Sequence, residues 1–277
     1  MNEPRRRTRT PLATVLSWSY ALILGAPLYY LVVSALKSNI EIFTRPFSLP
    51  ANWLWENFGT AWQTADLGRA LFNSVLVSLV AVALTLGLAV PAAYALARTD
   101  NRLARVITGT FSAGFLIPPF AALIPTVVLA IEMGLYGTRE FQMLFLPASA
   151  LPLSVLLLTQ FMRTVPQALV ESAALDGAGH WRLLTQVFVP IAMPGVVSVT
   201  ILQLLTFWNE YLFSLTITGT GPDVRTVQVA LPTLVSDATN LGVLAAGTVL
   251  TVLPVYVVYS IMNRRMQEAL TAGAVKG

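Results

Sequence analysis

The sequence has 277 residues, of which 11% are charged and 56% hydrophobic; 17 Lys and Arg against 13 Asp and Glu give a formal charge of +4, and the mean hydropathy is +0.70. An ordinary soluble domain carries roughly 25% charged residues, and a chain this apolar has too little polar surface to cover a water-exposed globule. The composition argues against a soluble enzyme, a disordered protein and a nucleic-acid binder, and points to an integral membrane protein.

Six charge-free stretches exceed the length of about 18 residues that a bilayer crossing needs: 10–36, 70–97, 106–131, 141–162, 183–209 and 238–263. They predict an all-α integral membrane protein with six transmembrane helices. A membrane barrel would instead show segments of about ten residues with alternating polarity, and these are absent. In chain order, a tail at 1–9 holds Arg5, Arg6, Arg7 and Arg9. This cluster and the apolar run behind it look like a signal peptide, with small residues at Val33-Ser34-Ala35. The run exceeds the about 7–15 residues of a signal core, so the expectation is an uncleaved first helix at 10–36. A loop follows at 37–69, where Trp53, Trp55 and Trp62 fit an interfacial aromatic belt. A five-helix core spans 70–264, and a short polar tail covers 265–277.

Six crossings place both termini on one side. That side holds twelve of the Lys and Arg residues; the other holds five, namely Lys37, Arg45, Arg69, Arg139 and Arg225. The basic side is the cytoplasmic one by the positive-inside rule, so N- and C-termini are expected in the cytoplasm and the 37–69 loop outside. The positive charge then reflects topology and gives no reason to expect nucleic acid as a partner. Cysteine is absent and His180 is the single histidine, so no metal site is expected.

No P-loop occurs, so the chain has no evident ATP site of its own. The six runs hold no ionisable residue of the kind that proton coupling leaves inside a membrane, because such residues are costly and persist for function. Glu132 and Glu210 stand at run ends. A passive channel remains, as does a transport subunit driven by another protein's ATPase. Small-residue pairs (Ala83 and Gly87, Gly109 and Ala113, Gly242 and Ala246) permit close helix contact. Prolines at 91, 118, 119, 125, 147, 152, 194 and 254 predict kinks.

The cytoplasmic segment 166–190 is the most informative. Pro166 suits a first helical turn, Asp176-Gly177 reads as a helix stop, and a second short helix runs from about His180 to Val189, ended by Pro190. Two short helices at a bend with small residues at the crook make a compact knob on the membrane surface.

This segment resembles the cytoplasmic motif of permease subunits from bacterial ATP-binding-cassette (ABC) importers: Glu-Ala-Ala, three residues, Gly, nine residues, Ile-x-Leu-Pro. Here Glu171-Ser172-Ala173 leads to Gly177 and then to Val187-Phe188-Val189-Pro190 with the same spacing. Ser172 replaces an Ala, and Val187 and Val189 replace Ile and Leu. Further pieces, Ser34-Ala35-Leu36-Lys37, Phe72-Asn73-Ser74, 92–98, Ile117-Pro118-Pro119, 134–138, Phe207-Trp208-Asn209-Glu210 and 270–277, resemble the permeases of carbohydrate importers similar to the smaller maltose-transporter permease.

The resemblance implies a type I importer permease core in the bacterial cytoplasmic membrane. It implies a second homologous permease, two nucleotide-binding ATPase subunits that bind ATP and Mg, and an extracytoplasmic sugar-binding protein, with no cofactor in this chain. It assigns ATPase coupling to Glu171, Ser172, Ala173, Asp176, Gly177 and Pro190; Glu171 makes the polar contact, and Ala173 and Gly177 allow close approach. The tail 271–277 resembles a segment that reaches between ATPase subunits, and Gly219, Thr220, Gly221, Pro222 and Asp223 occupy the place of a loop that probes the binding protein. Asn73, Gln203, Asn209 and Glu210 are candidates for the sugar path by residue type, with hydrogen bonding between helices as the alternative for each. A permease for another solute, such as a phosphorylated polyol, is the alternative function; it would call for cationic side chains facing the pore, and no run contains any.

Overall fold

A computed structural model describes the backbone of residues 11–235 and 240–274 and the side chains of 14–235 and 240–261. The basic tail expected at 1–9 lies outside the described residues, as do the side chains of the 265–277 tail. The helices, in chain order, are α1 (Pro11–Ser34), α2 (Asn39–Thr44), α3 (Glu56–Thr64), α4 (Leu67–Arg98), α5 (Arg102–Leu116), α6 (Leu123–Glu132), α7 (Arg139–Arg163), α8 (Gln167–Leu175), α9 (His180–Ile191), α10 (Met193–Trp208), α11 (Leu212–Thr218) and α12 (Leu241–Ala274), joined by shorter helical turns. No strand occurs among the described residues.

Four helices are long and apolar enough to cross a membrane alone: α1, α4, α7 and α12. The third and fifth apolar runs form bent pairs, which bring the number of crossings to six if each pair is one span. The third run turns by 93° between Leu116 and Pro119. Ile117 and Pro118 are extended there, with ψ of 122° and 127°, because the residue before a proline is driven out of the helical region. The fifth run turns by 77° between α9 and α10, beside Pro194. Pro147 and Pro152, by contrast, sit inside a continuous α7.

The chain divides into two compact units, Met1–Ala65 with Leu231–Val252, and Asp66–Ala230 with Leu253–Gly277. In the first, the apolar window of α1 buries none of its residues. The loop after it is tightly organised. Lys37 has no exposed surface, and its Nζ donates to Arg45 O (2.6 Å), Pro46 O (3.3 Å) and Ser48 Oγ (3.4 Å). Asn57 on α3 donates to Ala35 O (3.0 Å) and Lys37 O (3.2 Å). Gly247 on α12 lies so close to the 231–235 turn that a Cβ there would stand 2.6 Å from Leu234 Cδ1. Trp53, Trp55 and Phe58 stack in series at 6.2 and 6.1 Å, and Trp53 and Trp55 are exposed.

The second unit is built on α4 and α7, which pack along their length. Near the start of α7, Phe141 joins Ala130, Phe213 and Ile217. Midway, Val77, Ala81 and Val82 meet Leu146, Ala150 and Phe207. At the far end, Ala93, Tyr94 and Leu96 of α4 and Leu158 and Met162 of α7 form a core with Val170, Leu183, Leu184 and Phe188. Small residues let α10 approach α7: a Cβ on Gly195 would overlap the Phe161 ring.

Candidate functional site

The 166–190 segment folds as two helices on the ends of α4 and α7. Pro166 precedes α8 in an extended conformation. At the other end Gly177 takes φ +76°, Gly177 N donates to Ala174 O (3.0 Å) and Ala178 N to Ala173 O (2.9 Å). This is a Schellman stop, and a left-handed residue at its corner favours glycine. Among the described residues, its two chain neighbours apart, no atom lies within 4 Å of a Cβ built on Gly177, so the glycine is required here by the backbone.

In α9, residues Leu183–Phe188 form a π-helical turn, and Val189 N donates to Leu184 O. The turn stands just before Pro190, where the wider register relieves the clash of a proline ring with the preceding turn. The helix therefore continues through Pro190 to Ile191, past the end expected at that proline.

Val170, Leu183, Leu184 and Phe188 point into the core. Phe188 lies edge-on to Tyr94 at 4.9 Å, with the Arg98 guanidinium 5.8 Å from its ring centre and 6.0 Å from that of Tyr94. Tyr94 Oη is 3.4 Å from His180 Nδ1. The outer surface carries Glu171, Ser172, Asp176 and Gly177 exposed and Ala173 half-buried. Glu171 accepts from Gln167 Nε2 at 3.2 Å. Leu175 is 90% and Trp181 73% exposed, two large apolar groups on the knob that sequence reasoning did not single out.

The opposite end of the second unit holds the other candidates except Gln203. Half-buried Gly219 turns the chain with φ +67°, and Thr220, Gly221, Pro222 and Asp223 are exposed. Asp223 pairs with Arg69. Asn73 is fully buried; its Nδ2 donates to Asp223 O (3.0 Å) and Arg225 O (3.1 Å), and its Oδ1 accepts from Arg139 Nη1 (2.9 Å). Glu210 receives the amides of Phe213 and Ser214, each at 2.7 Å, so its carboxylate caps α11, where a negative charge suits the helix dipole. Asn209 is exposed, donates to Leu205 O (2.8 Å) and accepts from Gln228 (3.3 Å). Gln203 is buried and donates to Ser154 Oγ at 3.0 Å, a bond between α10 and α7. Within this chain, Asn73 and Gln203 thus bond between segments, Glu210 caps a helix and Asn209 is exposed. Among the described residues, neither side-chain polar atom of Gln142, buried on α7, has a hydrogen-bond partner.

A crevice of about 210 Å³ opens between α4, α10 and the latter part of α12. Val75, Leu79, Leu204, Trp208, Val255 and Tyr259 are among its lining residues, and no polar surface is exposed within it. Among the described residues no group of His, Asp or Glu could hold a metal ion.

Known proteins match this arrangement over nearly its whole length. The chain is 34% identical over 275 residues to the diacetylchitobiose uptake system permease protein NgcG of Streptomyces coelicolor, covering 98% of this chain and 90% of that protein. It is 27% identical to the melibiose/raffinose/stachyose import permease protein MelC of Bacillus subtilis, covering 98% and 100%. The fold superposes with a TM-score of 0.80 on a chain of a bacterial ABC transporter involved in the import of the acidic polysaccharide alginate, at 21% identity and covering 95% and 98% of the two chains. Residues 86–271 match the model of the binding-protein-dependent transport system inner membrane component, and the chain belongs to that family.

Proposed function

We propose that this chain is the membrane-spanning permease subunit of an ABC importer that moves a sugar or oligosaccharide across the cytoplasmic membrane. Separate nucleotide-binding subunits hydrolyse the ATP and hold its Mg, and this chain contributes no ATPase site. A second permease completes the pathway, and an extracytoplasmic binding protein delivers the sugar. The excess of Lys and Arg on the 166–190 side supports a cytoplasmic location for that side and for both termini. In the second unit, Arg69 pairs with Asp223 of the 219–226 loop and Arg139 with Asn73, which itself bonds that loop, while Arg98 lies beside Phe188, so the residues grouped by charge also group in space.

The observation that carries this reading is the knob at 167–191. Its apolar side is seated on α4 and α7, while Glu171 and Leu175 face outward. A partner that rotates the knob moves both long helices, a rigid-body route to alternating access. The test is a tagged purification in mild detergent, wild type beside Glu171→Lys. An ATPase subunit is expected to accompany the wild type and to be lost or uncoupled in the variant. A wild-type chain that purifies without an ATPase contradicts the reading.

A further inference from the structure

Asn73 joins three segments of the second unit with one side chain: α4, on which it sits, α7 through Arg139, and the 219–226 loop through the carbonyls of Asp223 and Arg225. Two carbonyl acceptors and one guanidinium donor leave a single orientation for the amide. The neighbouring Ser74 repeats the link, its buried hydroxyl accepting Val227 N at 2.9 Å. The Arg69–Asp223 pair spans the same gap, but its side chains are 51% and 78% exposed, and an exposed ion pair contributes little. The buried bonds of Asn73 and Ser74 therefore carry most of the tie, Asn73 with two of the three, because removing them strands polar groups where water is scarce.

We propose that Asn73 is a positioning residue that makes the 219–226 loop one rigid body with α4 and α7, so that a partner engaging the loop moves both helices. This rests on the importer reading above, in which that partner is the binding protein. The far ends of the same two helices hold the core around Phe188. A displacement at the loop thus reaches the 167–191 knob through two continuous helices, without a flexible joint.

The chain has no cysteine, so within it spin labels go only where a cysteine is introduced, and the partner subunits are used in cysteine-free form. One label replaces exposed Pro222 in the loop and a second replaces exposed Thr164 after α7. The distance distribution between them is read in the assembled transporter in nanodiscs, for wild type, Asn73→Ala and Asn73→Asp. The aspartate keeps an acceptor for Arg139 and loses both donors to the loop. Both variants are expected to broaden a narrow wild-type distribution. In unlabelled transporters, the ratio of ATPase rates with and without the sugar-loaded binding protein is expected to fall roughly tenfold, as loss of about two buried hydrogen bonds predicts. A wild-type width in Asn73→Asp overturns the inference, since Asn73 then ties only α4 to α7. A broadened loop with a stimulation ratio within twofold of wild type overturns the transmission. Failure of the importer reading is seen separately, as absence of any ATPase from the wild-type assembly.

Discussion

Replacing Phe188 with alanine tests how firmly the knob is held. The ring is 4% exposed and lies edge-on to Tyr94 at 4.9 Å, with Arg98 5.8 Å from its centre. Truncating a buried Phe costs about 3–5 kcal/mol through lost contacts and the cavity left behind, of which about 1 kcal/mol belongs to the aromatic pair. The other anchors, Val170, Leu183 and Leu184, remain. If about 3 kcal/mol of the loss falls on seating, the unseated population rises roughly a hundredfold. Hydrogen exchange at the amides of 167–189, measured on the assembled transporter in nanodiscs, reads that population directly. Phe188→Ala is expected to speed exchange there by about two orders of magnitude and to lower the sugar transported per ATP hydrolysed. Exchange within threefold of wild type would refute the claim that the Tyr94–Phe188–Arg98 contact seats the segment.

Gly177 separates backbone need from close approach: because its φ is +76° and nothing in this chain crowds it, Gly177→Asn is expected to retain ATPase association and Gly177→Val to weaken it by about 1–2 kcal/mol. If asparagine fails as badly as valine in the same pull-down, a partner surface requires the glycine. Lys37→Ala leaves the carbonyls of Arg45 and Pro46 without their ammonium donor, at a cost of about 1–3 kcal/mol. Chymotryptic cleavage after the exposed Phe47 in membrane vesicles is expected to accelerate, and an unchanged rate would show that Lys37 does not hold this loop.

The long apolar helices were legible because a missing charge over 20 or more residues has one common cause, the bilayer. The two sharp bends were less so. Proline alone does not predict them, since Pro147 and Pro152 lie within unbroken α7, whereas Pro118 and Pro119 come together after a residue forced into the extended region. The stop at Gly177 was legible because Asp-Gly after a helical pattern has a local backbone meaning. The organisation of 37–69 around Lys37 was not, because one ammonium reaching three oxygens leaves no periodic trace.

Residue type made Asn73, Gln203, Asn209 and Glu210 candidates for the sugar path, with hydrogen bonding between helices as the alternative, and did not choose between the two. Asn73 and Gln203 bond across segments and Glu210 caps a helix. Leu175 and Trp181 carried no signal because large apolar residues are common throughout this chain; only their exposure on the knob sets them apart.

The most direct measurement is a photo-cross-linker in place of Leu175, exposed on the knob, activated in native membranes. The expected product is an adduct with an ATP-binding subunit, formed in the wild-type background and lost when Glu171→Lys is added. A cross-link only to lipid, in membranes that contain the complete transporter, would contradict the assignment of 167–191 as the surface through which ATP hydrolysis moves the helices.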